Sequence, residues 1–221
     1  MRIILNFGPT VVPFTKPTQN YVNGVVHTIL GKDNPYHDKF SNYSVSFLRG
    51  GKLTSEGLIY PNGGQVYISS PDNAFMSIFL MNLMNNQNIK LRDMPLIKCD
   101  MTNIIVHSNY DIIEPLSPIL LKHENNRITF KDENFIPLLE KQCISKLIKN
   151  GLTQADLKGF VIKPFHFENG KIQRPKINKV VNPSSHVMLL IEGAPKARKM
   201  LYEMGLGNST GCGFGAVKVR F

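Results

Sequence analysis

The chain has 221 residues, 42% of them hydrophobic, with 26 Lys and Arg against 16 Asp and Glu and a net charge of +10. Such a length suits one large domain or two small ones, and the apolar share is that of a globular protein, far from the disordered class. No apolar run approaches the ~18–20 residues of a membrane span, and Cys99, Cys143 and Cys212 are odd in number, far apart and without a Cys-x-x-Cys spacing, which argues against a disulfide framework or a cysteine-built zinc site and for reduced thiols in the cytoplasm.

Residues 1–9 form an apolar run too short, and too soon broken by Gly8 and Pro9, for a signal peptide. Within it residues 2–7 read as a strand. Tyr21, Val22, Val25, Val26, Ile29 and Leu30 close on one face of a helix over 18–30, with Gly31 past its end. Residues 43–48 alternate like a half-buried strand, and 58–60 and 65–69 flank the hairpin chemistry of Pro61, Asn62, Gly63 and Gly64. Ser70 reads as an N-cap with Pro71 at the first helical position, opening a helix over 74–84 that is apolar nearly all round and therefore buried. Strands are expected at 88–98 and 103–107. The first half is thus β-α-β-β-α-β, the ferredoxin-like order.

The second half repeats the theme: short strands at 118–122 and 128–130, then a helix over 135–149 with Pro137 in its first turn and Gly151 past its end. Strands follow at 159–167 and 186–191, separated by a basic, proline-broken stretch over 171–179. Pro195 opens a short helix on which Ala197, Met200, Leu201 and Met204 share a face. Gly205 ends it, and 215–221 make a final strand. The fold class is α+β, two α+β domains over 1–112 and 113–221, joined near 109–117.

Charge is unevenly placed. Residues 1–140 carry 12 basic and 12 acidic side chains, whereas 141–221 carry 14 and 4, so the last 81 residues hold the whole excess. A basic half on a neutral half is the footprint of a polyanion partner; the plainer alternative is a solvated lysine-rich surface.

The most informative stretch is Gly205, Leu206, Gly207, Asn208, Ser209, Thr210, Gly211, Cys212, Gly213, Phe214 and Gly215. Five glycines in eleven residues leave a backbone able to take positive φ and to approach an anion. Thr210 stands where a dinucleotide fingerprint needs its third glycine, the order is helix–loop–strand, and no Gly-Lys-Ser/Thr is present, so neither nucleotide loop fits. A glycine-rich bulge at a domain interface is the structural alternative. Lys196, Arg198 and Lys199 one helix away, and Lys218 and Arg220 one strand away, favour an anion site.

Gly-hydrophobic-Gly, five residues, then Gly-hydrophobic-Gly resembles the signature loop of the repeat-associated RNA-binding superfamily of CRISPR systems. Within it the chain resembles the endoribonuclease that cuts CRISPR repeat transcripts into guide RNAs. Leu116, Ser117, Pro118, Ile119 and Leu120 resemble the family's "SPI" strand, the helix bearing Lys146 its basic helix, and Tyr36-His37 before the strand at 43–48 its histidine segment. The resemblance implies two tandem ferredoxin-like domains and an RNA interface formed by Gly205, Gly207, Asn208, Ser209, Thr210, Gly211, Gly213, Gly215, Lys196, Arg198, Lys199, Lys218 and Lys146.

RNA carries its own nucleophile, so a base, a cation and an acid suffice without a metal or other cofactor. Six histidines compete for the proton work. His107, His166 and His186 sit in apolar strand contexts, His123 sits beside Glu124 in a turn, and His27 lies on the solvent side of the first helix. His37 lies in a polar loop, and the resemblance places the general acid or base there, with His27 second. Tyr36 is expected to orient the substrate or polarise its phosphate, and Lys39 and Lys52 are the candidate cations. No spacing of His, Asp and Glu suggests a two-metal centre. The implied activity is metal-independent cleavage of CRISPR repeat RNA; the alternative is a non-catalytic RNA-binding subunit of a CRISPR effector complex. Such a complex and a second copy of the chain are candidate partners, and a membrane is not.

Overall fold

A computed structural model describes residues 1–31, 36, 42–86, 88–177 and 179–220. In the first half, strand β1 (Arg2–Phe7) leads to helix α1 (Thr18–Leu30), strands β2 (Ser44–Val45) and β3 (Gly64–Ser69), helix α2 (Asn73–Asn85) and strand β4 (Met94–Thr102). The sheet runs β2-β3-β1-β4, antiparallel throughout, with the short strand Lys90–Leu91 beyond β4. The second half repeats the plan with β5 (Tyr110–Pro115), α3 (Phe135–Lys149), β6 (Val161–Phe165), β7 (Met188–Glu192), α4 (Pro195–Met204) and β8 (Val217–Val219). Its sheet runs β6-β7-β5-β8. Both orders are that of a ferredoxin-like unit, so the chain is α+β with two such units in tandem.

Each sheet has its own core. Ile3, Leu5 and Phe7 alternate on β1 and meet Val22 and Ile29 of α1 and Phe75 and Phe79 of α2. Ile113, Leu189 and Ile191 meet Leu139 and Leu147 of α3 and Leu201 of α4. Burying such a side chain contributes roughly 1.5–3 kcal/mol. The halves are also bonded directly: the buried Arg2 guanidinium, which donates to Ser69 Oγ (2.7 Å) on its own sheet, also donates to the Val217 carbonyl (2.6 Å) of the second half, and Arg49 Nη1 donates to the Leu116 carbonyl at 2.9 Å. Burial lowers Arg2 to about 10, still charged at neutral pH.

Several elements depart from the sequence reading. The N-cap of α2 is Asp72, whose Oδ1 accepts from the N–H groups of Ala74 and Phe75, while Ser70 Oγ accepts from the Asp72 N–H. α2 is not buried all round; it covers the sheet with one face and leaves Met81 and Met84 exposed. The expected strand 88–98 is a hairpin, because Arg92 takes a left-handed φ of 61° and folds Lys90–Leu91 onto β4. Residues 103–107 are not a strand: Ile104 and Val106 pack on the second core and draw the chain off the first sheet. Residues 110–115, read as part of the joint, are a strand at the inside of the second sheet, so a division after residue 112 would cut β5. Asp111, Glu114 and Pro115 make that strand look like a loop. Of residues 118–122, only 121–122 are strand, in the small hairpin Leu121–His123 with Asn126–Ile128. No helix among the described residues is long and apolar enough to cross a membrane.

Candidate nucleic-acid interface

The glycine loop follows α4 and returns to β8, and its glycines face inward. Gly215, at φ 65°, lies so close to Leu206 that a Cβ would stand 1.8 Å from the Leu206 carbonyl oxygen. At Gly213, a Cβ would stand 2.3 Å from Gln19 Nε2 of α1, in the other half. Within the loop, Leu206 N–H donates to the Gly215 carbonyl (2.8 Å), Asn208 N–H to Leu120 (2.7 Å) and Gly215 N–H to Pro118 (2.9 Å). Ala216 N–H donates to Ser117 Oγ at 3.1 Å. The segment at 116–120 is therefore the seat of the loop rather than an independent strand. The expectation of a bare glycine backbone presented to an anion is corrected: Gly205, Gly207, Gly211, Gly213 and Gly215 are all buried, and at Gly207 and Gly215 the missing side chain lets backbone meet backbone. What the loop turns outward is Asn208, Ser209 and Cys212.

Lys146 supports the loop from beneath. It is 4% exposed, and its Nζ donates to the carbonyls of Gly205 (3.0 Å) and Gly207 (3.2 Å). Burial lowers its amine to about 8. The same face of α3 carries Gln142, Ser145 and Lys149, which with Lys122 and the loop residues 207–210 and 212 line an open cavity of about 490 Å³. Sequence reading singled out Lys146 alone. The signal it passed over is the spacing of 142, 145, 146 and 149, which puts polar side chains on one helix face.

The loop is also tied to the segment that carries the candidate histidine. Thr210 Oγ1 donates to the Tyr43 carbonyl at 2.9 Å, and Ser44 Oγ to the Glu203 carbonyl at 3.1 Å. His37 and Lys39 lie outside the described residues. Tyr36 is described: its hydroxyl donates to Asp72 Oδ2 at 3.3 Å and its ring meets Phe75 edge-on at 5.0 Å. Burial and then the Asp72 charge raise the phenol above its usual range. His27 is exposed on α1, and Lys52 is exposed on the strand Lys52–Thr54, in a separate sheet with Gly57–Tyr60 and Thr10–Phe14.

The cations expected around the loop separate sharply. Arg198 is 0% exposed. Its guanidinium bonds Asp111 and the carbonyls of Gly193, His107 and Ser108, and Asp111 also accepts from the Tyr202 hydroxyl. Arg198 is thus a structural cation, withdrawn from any surface that could meet RNA. Lys196 is exposed and 3.7 Å from Asp156, Lys218 is 3.2 Å from Glu114, and Lys199 is half-buried.

Of the histidines read as structural, His107 and His166 each bond a carboxylate, Asp111 at 2.7 Å and Glu168 at 2.8 Å. His186 differs. Its imidazole is half-buried where two cavities of about 290 and 360 Å³ adjoin, and its Nδ1 is buried without a hydrogen-bond partner among the described residues. Burial and then the Arg49 charge lower its pKa from the usual imidazole range.

Comparison with known proteins agrees with this geometry. A family model described as CRISPR associated protein Cas6, C-terminal, matches residues 97–219, which include all four strands of the second sheet, α3, α4 and the glycine loop. A protein of Methanocaldococcus jannaschii named CRISPR-associated endoribonuclease Cas6 1 is 24% identical over 226 residues, covering 94% of this chain and 87% of its own length. Two solved structures share the fold along the whole chain. One, described as an RAMP protein binding different RNA substrates, has a TM-score of 0.83 at 21% identity, with 100% of both chains covered. The other, described as the characterization of a Cas6-related gene from Pyrococcus furiosus, has a TM-score of 0.81 at 22% identity, covering 100% of this chain and 98% of its own. With the glycine loop, its lysine-bearing helix and both sheets accounted for together, the chain belongs to the Cas6 family of CRISPR-associated proteins.

Proposed function

We propose that this protein is a cytoplasmic, metal-independent endoribonuclease that binds CRISPR repeat RNA and cuts it once per repeat. The observation that carries the reading is the bond from Thr210 to Tyr43, which ties the glycine loop and its lysine-walled cavity to the chain segment bearing His37. The 2′-hydroxyl gives up its proton to a base and attacks the adjacent phosphorus. The P–O5′ bond breaks, and the leaving 5′-oxygen takes a proton from an acid. The products are a 2′,3′-cyclic phosphate and a 5′-hydroxyl. His37 serves as base or acid, with His27 the second candidate, and Lys39 or Lys52 offsets charge on the phosphorane. Tyr36, held by Asp72 and Phe75, orients the substrate or polarises its phosphate. Lys122 and Lys149 take RNA phosphates at the cavity, joined by Lys196, Lys199 and Lys218 on the basic half; bases are read where the strand is unpaired, since the deep major groove of A-form RNA is closed to side chains.

The test is incubation of purified protein with repeat RNA in EDTA. A single cut at a fixed position is expected, lost in His37→Ala with binding retained and kept in His186→Ala. Binding without cutting at any pH from 6 to 9 would overturn the enzyme reading in favour of an RNA-binding subunit of a CRISPR effector complex.

A further inference from the structure

His186 stands apart from the other histidines. The strand Ser184–His186 pairs with Lys171–Gln173, and Ser185 exchanges backbone bonds with Ile119 at 2.7 and 2.8 Å, so the imidazole is carried on a fixed frame. It lines two cavities of about 290 and 360 Å³ at once, each near the ~300 Å³ at which pockets begin to hold small molecules. The first lies between the halves: Phe47, Arg49 and Tyr60 come from one, Leu116, Ser117 and Gln173 from the other. Apolar walls with a few polar groups among them are those of a ligand site.

Two positive charges at these cavities lack a counter-charge. The Arg49 guanidinium bonds the Leu116 carbonyl, and Arg220 reaches Met188 Sδ at 3.5 Å; neither meets a carboxylate among the described residues. Glu114, the carboxylate that lines the second cavity, is already paired with Lys218 at 3.2 Å. A ligand that carries both an apolar ring and a phosphate suits this set.

Burial also fixes where the ring holds its proton. Nδ1 is sealed from solvent and has no hydrogen-bond partner among the described residues. Burial and the Arg49 charge disfavour the imidazolium. In the uncharged ring one nitrogen donates and the other accepts, and a buried N–H without an acceptor is rarer than an acceptor left unmet. The proton therefore sits on Nε2, on the ring edge turned to the cavities, where it can only donate. We propose that this seam seats one unpaired base of the RNA, and that His186 selects uracil or guanine by donating Nε2–H to the keto oxygen, with Arg49 and Arg220 taking the flanking phosphates. Cytosine and adenine carry an amino group in that place and would set donor against donor. Phe47, held edge-on to Phe214 at 5.6 Å, supplies an apolar wall for the base. The proposal rests on the RNA reading above. His186 is here a specificity residue, so its loss should blunt selection and weaken binding without abolishing the cut.

Uracil and cytosine have one shape and differ at that group, so short oligouridine and oligocytidine of equal length are the probes, read by fluorescence anisotropy with the full chain. Wild type is expected to bind oligouridine more tightly by roughly three- to tenfold, the worth of one hydrogen bond. His186→Phe, which keeps a ring but has no donor, should bind the two alike. His186→Gln, which restores a donor, should regain part of the preference. A role in folding alone would weaken both oligonucleotides equally and leave their ratio intact. Nitrogen NMR of the imidazole in the free wild type gives a second reading, and the Nε2–H form is expected. Equal affinities in wild type, a preference that survives in His186→Phe, or a proton found on Nδ1 each overturns the proposal. Repeat RNA bound and cut by a wild type without the preference removes the role of His186 alone. A wild type that holds neither oligonucleotide nor repeat RNA removes the cleavage reading with it.

Discussion

Helices α3 and α4 each bury one cation in the second half, and they satisfy it in opposite ways. Arg198 on α4 meets the carboxylate of Asp111, with Tyr202 and three backbone carbonyls completing the set. Lys146 on α3 meets the carbonyls of the glycine loop, and burial has lowered its amine to about 8. A neutralised guanidinium locks a helix to a sheet. An amine held by carbonyls keeps its charge at neutral pH beneath a loop, beside the cavity that Lys122 and Lys149 also line. Position relative to a carboxylate, not count of basic residues, decides which helix presents charge to a partner.

The largest effect should come from removing the carboxylate. Asp111→Ala leaves Arg198 buried without its counter-charge and is expected to cost about 3–5 kcal/mol in urea unfolding. Adding Arg198→Met should recover much of that loss. Equal stability of the single and double variants would break the assignment of Arg198 to structure.

Lys146→Met should cost less, about 1–3 kcal/mol, by leaving two loop carbonyls unpaired. It also carries a pH signature. With a folded value near 8 against 10.5 for the free side chain, the unfolded chain binds more protons between those values. Stability contributed by this site therefore rises as pH climbs from about 8 to about 10.5 and is smallest below 8. Wild type should gain on Lys146→Met over that window, a difference that unfolding curves at pH 7, 9 and 10.5 read directly. A constant difference would mean the amine is not perturbed.

The smallest effect on stability is expected on the exposed rim. Lys149→Gln should change unfolding by less than about 0.5 kcal/mol. Yet it should weaken repeat-RNA binding and reduce the salt dependence by roughly 0.7–0.9 for each phosphate no longer neutralised. An unchanged slope would separate the α3 cavity from the RNA path.

Local pattern carries the helices well. The spacing of Val22, Val25, Val26 and Ile29, and the Pro137 and Gly151 boundaries of α3, are written in periodicity and capping residues, so both helices are found where expected. Strand β5 is hidden because Asp111, Glu114 and Pro115 are loop residues by composition. Only the packing of Ile113 and the pairing of Asp111 with a distant arginine explain them. The glycine loop is visible as a motif but not in its orientation, since whether a glycine faces solvent or another backbone depends on residues such as Gln19 and Leu120, far away in sequence. Arg198 escapes for the same reason: its partner lies 87 residues away. Sequence shows which residues are unusual; pairing at long range decides their use.

The fastening of Thr210 to Tyr43 has a mechanical corollary. A loop gripped from below by Lys146 and from the side by the first unit is a crossbar, and a crossbar transmits load. Occupancy at the helix α3 end and the position of Tyr43 are then two readings of one displacement. Substitutions of Lys146, which grips the loop from below, should therefore be felt at Tyr43 as well as in the loop.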